Sequence, residues 1–282
     1  SDLMETSVSH QAYEASRLDD SETHKMLSKT YPYTILITED DDEVRCFLER
    51  ELSPHFKTRT AANGKDALRV LEEEEISLVV SDVMMPEMNG FELCRMIKSQ
   101  LPFSHIPVIL LTALTDERQR IFGITGGADD YIQKPFHTDY VKIKIIHLLQ
   151  ERQKLRERLL EKLRDNKLLL SEPEKVESID DAFLRKFAEQ IEAVYADPEY
   201  NVEKLSETLG LSRGHLHRKI KELTGTAPVE FLRTYRLNKA TQLLRQNAYT
   251  VSEVAYRTGF SSPAYFSKCF KAVYGVTPTE YQ

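Results

Sequence analysis

The sequence predicts a two-part fold, α/β followed by all-α: a doubly wound five-stranded parallel sheet, a linker helix, then a helical domain with two helix-turn-helix units. Three observations carry this prediction. Short apolar runs alternate five times with amphipathic stretches between residues 34 and 149, the pattern of successive βα units. Residues 150–170 are nearly all helix formers, with no Gly or Pro. Beyond residue 200 a short helix, a Gly turn, a Ser cap and a second helix occur twice, the caps Ser212 and Ser262 lying 50 residues apart.

The 282 residues suffice for two domains. A net charge of -7 conceals an asymmetry: residues from Tyr200 onward hold 12 Lys/Arg against 6 Asp/Glu, the first 199 hold 26 against 39. The basic end is the candidate for nucleic acid. No long apolar run and no secretory signal occurs, so a transmembrane helix within this segment is not expected. Cys46, Cys94 and Cys269 lack metal-ligand spacing and read as reduced cytoplasmic thiols.

Residues 1–33 are polar, without sustained periodicity, and read as a leader or linker. TILIT (34–38) is the first strand, followed by a helix over Asp42–Leu52. FKTRTA (56–61) precedes a helix from Gly64 to Glu73, and Leu78–Asp82 precedes one over Phe91–Ser99. PVILLT (107–112) leads to a helix over Thr115–Phe122, and DYIQK (130–134) to one over Thr138–Leu149.

Asp82 closes the Val-rich third strand, and a carboxylate placed there must be paired or bind a cation. Glu39 and Asp40 end the first strand, Thr112 the fourth and Lys134 the fifth. All fall at the carboxyl edge of the sheet, where ligands bind in such folds. Carboxylates gathered there repel one another and call for a hard divalent cation, for which Mg²⁺ is the natural choice. A cation, an ammonium and a hydroxyl around one carboxylate suit a phosphoryl group, whose oxygens need neutralising during transfer. Singly, each residue has a bland reading as a turn, cap or strand end. Five at successive strand ends do not.

ILITEDD, SDVMMPEMNG, PVILLTA and GADDYIQKPF make residues 34–149 resemble the receiver domain of two-component response regulators, with its flavodoxin-like fold. By that resemblance Asp82 is the phosphoacceptor. Glu39, Asp40 and Asp82 hold Mg²⁺, with a backbone carbonyl from Met84. Thr112 is the hydroxyl that follows the phosphoryl group, Tyr131 the switching aromatic and Lys134 the phosphate-pairing lysine. Asp41 falls on the loop side, outside this set. Met84 and Leu114, each two residues past a site residue, flank the path of the hydrolytic water. Both are apolar, so slow autodephosphorylation is expected.

Residues 150–180 read as a helical linker. Leu148, Leu155, Leu159, Leu163 and Leu170 fall close to a heptad stripe, which leaves a dimerising coiled coil and a lone amphipathic helix both open. Ser171–Ser178, with Pro173, marks a boundary. Helices follow over Ala182–Tyr195, Val202–Leu209 and Ser212 to Leu223, then a long one over Pro228–Leu244 with Pro at its start. In the first unit Arg213, His217, Arg218 and Lys221 take the exposed side, with Leu216 and Ile220 toward the core; Phe266 and Phe270, then Lys268 and Lys271, hold the matching positions of the second. A recognition helix of this kind enters the major groove, and two of them can read successive grooves if they stand about 34 Å apart.

LSRGHLHRKIKELTG, VSEVAYRTGFSSPAYFSKCFK and GVTPTEY make residues 181–282 resemble the AraC/XylS-type DNA-binding domain. The resemblance places Arg213, Gly214, His217 and Arg218, with Lys221, on double-stranded DNA. It places Pro263, Ala264, Tyr265, Ser267 and Lys268 there from the second unit. Together the two resemblances imply a phosphorylation-controlled transcription regulator, not itself an enzyme. Its expected partners are DNA, a histidine kinase in trans or fused, RNA polymerase, and a second copy of the chain on phosphorylation. The combination also resembles the C-terminal part of hybrid sensor kinases, which the polar leader fits; such a fragment would be membrane-tethered, whereas a free-standing regulator would be cytoplasmic. A phosphotransfer relay with a passive DNA domain is the alternative from another class.

Overall fold

The computed structural model describes residues 25–113, 127–164 and 178–282, and no side chain over 159–164. The expected helix Thr115–Phe122, Leu114 and residues 165–177 of the linker lie outside the described residues. The chain divides into two compact units, Ser1–Gln153 and Lys154–Gln282.

In the first unit β1 (Thr34–Thr38), β2 (Lys57–Ala61), β3 (Leu78–Asp82), β4 (Val108–Thr112) and β5 (Asp130–Gln133) form one parallel sheet in the order β2-β1-β3-β4-β5. The helices of this unit include α1 (Asp42–Leu52), α2 (Gly64–Glu73) and α3 (Gly90–Ser99), and α4 (Thr138–Arg164) begins in it and continues past Gln153. Strand residues alternate between two cores, as period-two geometry requires. Ile35, Ile37, Leu78 and Val80 pack with Leu48 and Leu52 of α1 and Val141 and Ile145 of α4. Leu36 and Val79 pack with Ala67 and Leu71 of α2 and Leu93 and Ile97 of α3. Both faces are covered, which explains why β3 is buried at all five positions.

The chain leaves β1 toward β2 and returns across it to β3, so strand order reverses between β1 and β3. Ligands bind in the crevice at such a reversal. Thr38 pairs with Ser81, which sets Glu39 beside Asp82. Helix starts are fixed locally: Asp41 caps α1 by accepting from the Glu43 and Val44 amides, and Asn89 with Glu92 forms a capping box on α3. Asp41 is thereby engaged as a helix cap.

Met26, Tyr31 and Tyr33, from the stretch read as leader, pack against the α1–α4 core. Tyr31 stacks on Phe56 at 5.6 Å, and its amide donates to the His55 carbonyl at 2.7 Å.

The second unit comprises α5 (Ile179–Val194), α6 (Val202–Thr208), α7 (Arg213–Thr224), α8 (Pro228–Arg245), α9 (Val251–Arg257), α10 (Pro263–Tyr274) and α11 (Pro278–Tyr281). A capping box of Ser178 and Asp181 starts α5 three residues ahead of the expected Ala182. The repeat extends to backbone detail. Ser212 and Ser262 cap α7 and α10, each of 12 residues, and both helices end on a left-handed glycine, Gly225 and Gly275. Leu216, Ile220, Phe266 and Phe270 are all fully buried, at the matching positions that the sequence pairs.

Candidate functional site

Asp82 terminates β3 among buried apolar residues and is itself 6% exposed. Gly90 makes this arrangement possible, because a Cβ there would lie 2.2 Å from the Asp82 carbonyl oxygen. The Gly90 amide instead donates to the Val83 carbonyl at 3.0 Å, so α3 starts directly against the end of β3. The Asp82 carboxylate has two anchors. Its Oδ2 accepts from the Met84 amide at 3.1 Å, and its Oδ1 lies 2.7 Å from Lys134 Nζ.

Lys134 also reaches Glu39 Oε2 at 2.9 Å. Its own amide donates to the Thr112 carbonyl at 2.7 Å, which brings the ends of β4 and β5 together beside the acids. Burial works against the ammonium, but hydrogen bonds to Asp82 and Glu39 outweigh it and raise its pKa. Glu39 is 2% exposed, and burial raises its pKa despite the Lys134 hydrogen bond, with the Asp82 charge adding to the rise. Asp40 is exposed at the mouth. One oxygen from each of Glu39, Asp40 and Asp82 lies within 4.8 Å of the others. Three carboxylates, two of them buried, with one lysine among them are an oxygen-rich donor set that fits a hard divalent cation. The Met84 side chain is exposed beside them.

Thr112 ends β4 half-buried. Tyr131 on β5 packs against the α2–α3 core, where its hydroxyl is buried without a hydrogen-bond partner. Its pKa is pushed up to about 12, chiefly by burial, with the Cys94 and Asp129 charges adding. A buried hydroxyl without a partner is a cost to the packed position of this ring.

In the helical unit Arg213, Gly214, His217 and Lys221 are exposed on α7 and Arg218 is half-buried. Arg213 Nη1 pairs with Glu203 Oε1 of α6 at 2.7 Å. On α10 Ala264, Tyr265 and Lys268 are exposed and Pro263 and Ser267 half-buried; the Ser267 hydroxyl donates to the Pro263 carbonyl at 2.9 Å. Sequence reasoning missed Lys219. It is 0% exposed, its Nζ lies 2.7 Å from Asp180 Oδ1 and 5.2 Å from the centre of the Phe183 ring. Its spacing held the signal, since it falls three residues after Leu216 and next to Ile220, on the buried stripe.

A family model described as response regulator receiver domain matches residues 35–146, and one described as helix-turn-helix domain matches residues 205–282. Histidine kinase P4 of Formosa agariphila is 37% identical over 265 residues, which are 94% of this chain and 19% of that protein. Transcriptional regulatory protein GltR of Pseudomonas aeruginosa is 43% identical over 121 residues, 43% of this chain and 50% of that protein. The solved signal receiver domain of a signal transduction histidine kinase from Syntrophus aciditrophicus is 38% identical, covers 42% of this chain and 91% of its own, and superposes with a TM-score of 0.41.

Proposed function

From a chain that carries a response-regulator receiver domain followed by an AraC-type helix-turn-helix domain, we propose a DNA-binding transcription regulator of a two-component system that is switched by phosphorylation of Asp82. The observation that carries this reading is Lys134 held between Asp82 and Glu39 at the strand-order reversal. A histidine kinase supplies the phosphoryl group, and an Asp82 oxygen accepts it. Lys134 then pairs with a phosphoryl oxygen, and Thr112 offers its hydroxyl to another. Mg²⁺ bound by Glu39, Asp40, Asp82 and the Met84 carbonyl would neutralise the developing charge. The Tyr131 ring follows Thr112, altering the face around β4 and β5.

The output is reading of double-stranded DNA. Arg213, Gly214, His217, Arg218 and Lys221 of α7 and Pro263, Ala264, Tyr265, Ser267 and Lys268 of α10 take the DNA side, a set supported by the exposure of most of its members. Leu148 packs against the α1–α4 core and is not free to pair, but Leu155 is exposed on α4, which supports pairing of two chains along the rest of the leucine stripe; Leu159, Leu163 and Leu170 fall outside the described side chains. In domain terms we read 1–33 as the lead-in, 34–149 as the receiver, 150–180 as the linker and 181–282 as the DNA-binding domain, with RNA polymerase the downstream partner. Near-complete coverage of this chain by a much longer relative named as a histidine kinase supports placing it at the output end of a hybrid sensor.

The test is DNA binding by the full chain with and without phosphorylation. The expected outcome is salt-dependent binding to a selected duplex that tightens on phosphorylation, and tightens no further in Asp82→Ala. Phosphotransfer with no DNA binding at any salt concentration would favour a relay instead.

A further inference from the structure

The end of α5, the middle of α8 and the turn before α10 meet at one junction, and α7 is tied to the start of α5 by the Lys219–Asp180 pair. The end of α5 leaves backbone carbonyls without helical partners. Arg236, from the middle of α8, takes the C-cap carbonyl and one just beyond it: its Nε donates to the Tyr195 carbonyl at 2.8 Å and its Nη2 to the Asp197 carbonyl at 2.6 Å. Gly259, in the turn between α9 and α10, is at the same point. Its φ is +78°, and a Cβ there would lie 2.1 Å from the Tyr195 oxygen and 2.8 Å from Arg236 Nε. Backbone just past α5, a side chain from α8 and the glycine of the turn between α9 and α10 thus close on one another.

Neighbouring contacts brace the junction. Lys239 Nζ pairs with Glu192 at 2.8 Å and sits over the Tyr195 and Tyr235 rings at 5.5 and 5.4 Å. The Tyr235 hydroxyl donates to Glu192 as well. Arg233, one turn before Arg236, stands near Tyr265 at the start of α10, which raises its pKa.

We propose that Tyr195, Arg236 and Gly259 form a spacer that fixes the distance and angle between α7 and α10, and so sets the base-pair separation at which the chain reads two successive grooves. They act as positioning residues, since none is in the DNA-facing set. The inference rests on the DNA-reading role proposed for α7 and α10. A planar guanidinium satisfies two carbonyls in a fixed geometry, which an ammonium cannot reproduce. A glycine is needed because its positive φ and the approach of the Tyr195 carbonyl exclude a side chain. Reading two grooves tolerates little error, because one base-pair step rotates the groove by about a tenth of a turn.

The experiment uses the full chain with Cys46→Ser and spin labels at His217→Cys and Lys271→Cys, the other cysteines being buried. The expected result is one narrow label-to-label distance, broadened by Arg236→Lys and by Gly259→Ala. A broad or bimodal distribution without those substitutions overturns the proposal whether or not the variants fold. A second arm takes a duplex that the unsubstituted chain enriches from a random pool, with and without two base pairs inserted between the grooves it protects. Insertion should weaken binding by the unsubstituted chain about tenfold or more, the scale of a lost base contact, and Arg236→Lys should shrink that penalty. A folded Arg236→Lys variant with an unchanged penalty also overturns it. Failure to enrich any duplex would count against the DNA-reading role, while the label distance still judges the junction.

Discussion

Lys134 Nζ lies 2.7 Å from Asp82 Oδ1 and 2.9 Å from Glu39 Oε2, one ammonium shared by two buried carboxylates. A hydrogen bond to a charged group contributes roughly 1.5–3 kcal/mol, about tenfold or more in rate if the bond is kept in the transition state. Lys134→Met should therefore slow phosphorylation by acetyl phosphate at least about tenfold, and Asp82→Asn should abolish it. The readout is the fraction of phosphoprotein against time on a phosphate-affinity gel. Equal rates for Lys134→Met and the unsubstituted chain would remove the lysine from the site.

The same cluster predicts a cation response. Glu39, Asp40 and Asp82 converge within 4.8 Å, and a cation that binds only the folded state stabilises it by mass action, about 2.7 kcal/mol at a hundred times its dissociation constant. MgCl₂ should raise the unfolding temperature of the receiver unit relative to chelator, and Asp40→Ala should remove most of the rise. Unfolding curves that overlay with and without MgCl₂ would rule the metal site out.

Much of this architecture is legible in the sequence because it follows from side-chain periodicity and caps. The βα alternation, the strand-end acids and the caps Ser212 and Ser262 are written in residue types. What is not legible depends on partners that residue types do not announce. Lys219 reads as a solvated lysine until Asp180, 39 residues away, is seen beside it. Arg236 binds backbone carbonyls, and any residue supplies those. Met26, Tyr31 and Tyr33 are too few and too unevenly spaced to show that they pack against the receiver core.

Lys219 offers a test of what a buried cation contributes. Its ammonium is paired and its stem is buried, whereas Asp180 keeps partial access to water, about a fifth of its side chain. Truncation to Ala removes packing as well as charge, so Lys219→Ala should cost about 2–4 kcal/mol in urea unfolding of the helical unit. Lys219→Met retains the stem and leaves an aspartate that can still hydrate, and it should cost distinctly less. If the two variants are equally destabilised, the charge rather than the stem is what matters there.

The Cys94 thiol has its pKa raised from 9.0 to about 11, chiefly by burial, with Lys98 opposing and Asp129 adding. A folded-state pKa above the unfolded one means stability that is fully present below pH 9.0 and is lost as pH rises through about 11. Cys94→Ala should flatten the alkaline fall in stability of the receiver unit across that window. At pH 8 a thiol reagent should label exposed Cys46 quickly and buried Cys94 only on unfolding. Rapid labelling of Cys94 in the folded chain would contradict its burial.

Met84 lies two residues beyond Asp82, its amide donating to Asp82 Oδ2 at 3.1 Å while 66% of its surface stays open to solvent. Hydrolysis of a phosphoaspartate needs a water aligned behind the phosphorus. A thioether is at best a weak acceptor and has no donor, so Met84 cannot align that water as a carboxamide or carboxylate could. Leu114, its expected counterpart, lies outside the described residues but is apolar too. The phosphorylated chain should accordingly hold its signal for minutes or longer, followed as decay of phosphoprotein after removal of the donor. Met84→Asn should shorten the lifetime several-fold, because it supplies both a donor and an acceptor at the mouth. Loss of the phosphoryl group within seconds from the unsubstituted chain would show that the flanking side chains do not limit water, and that Asp82 is dephosphorylated by a route through the remaining groups of the site.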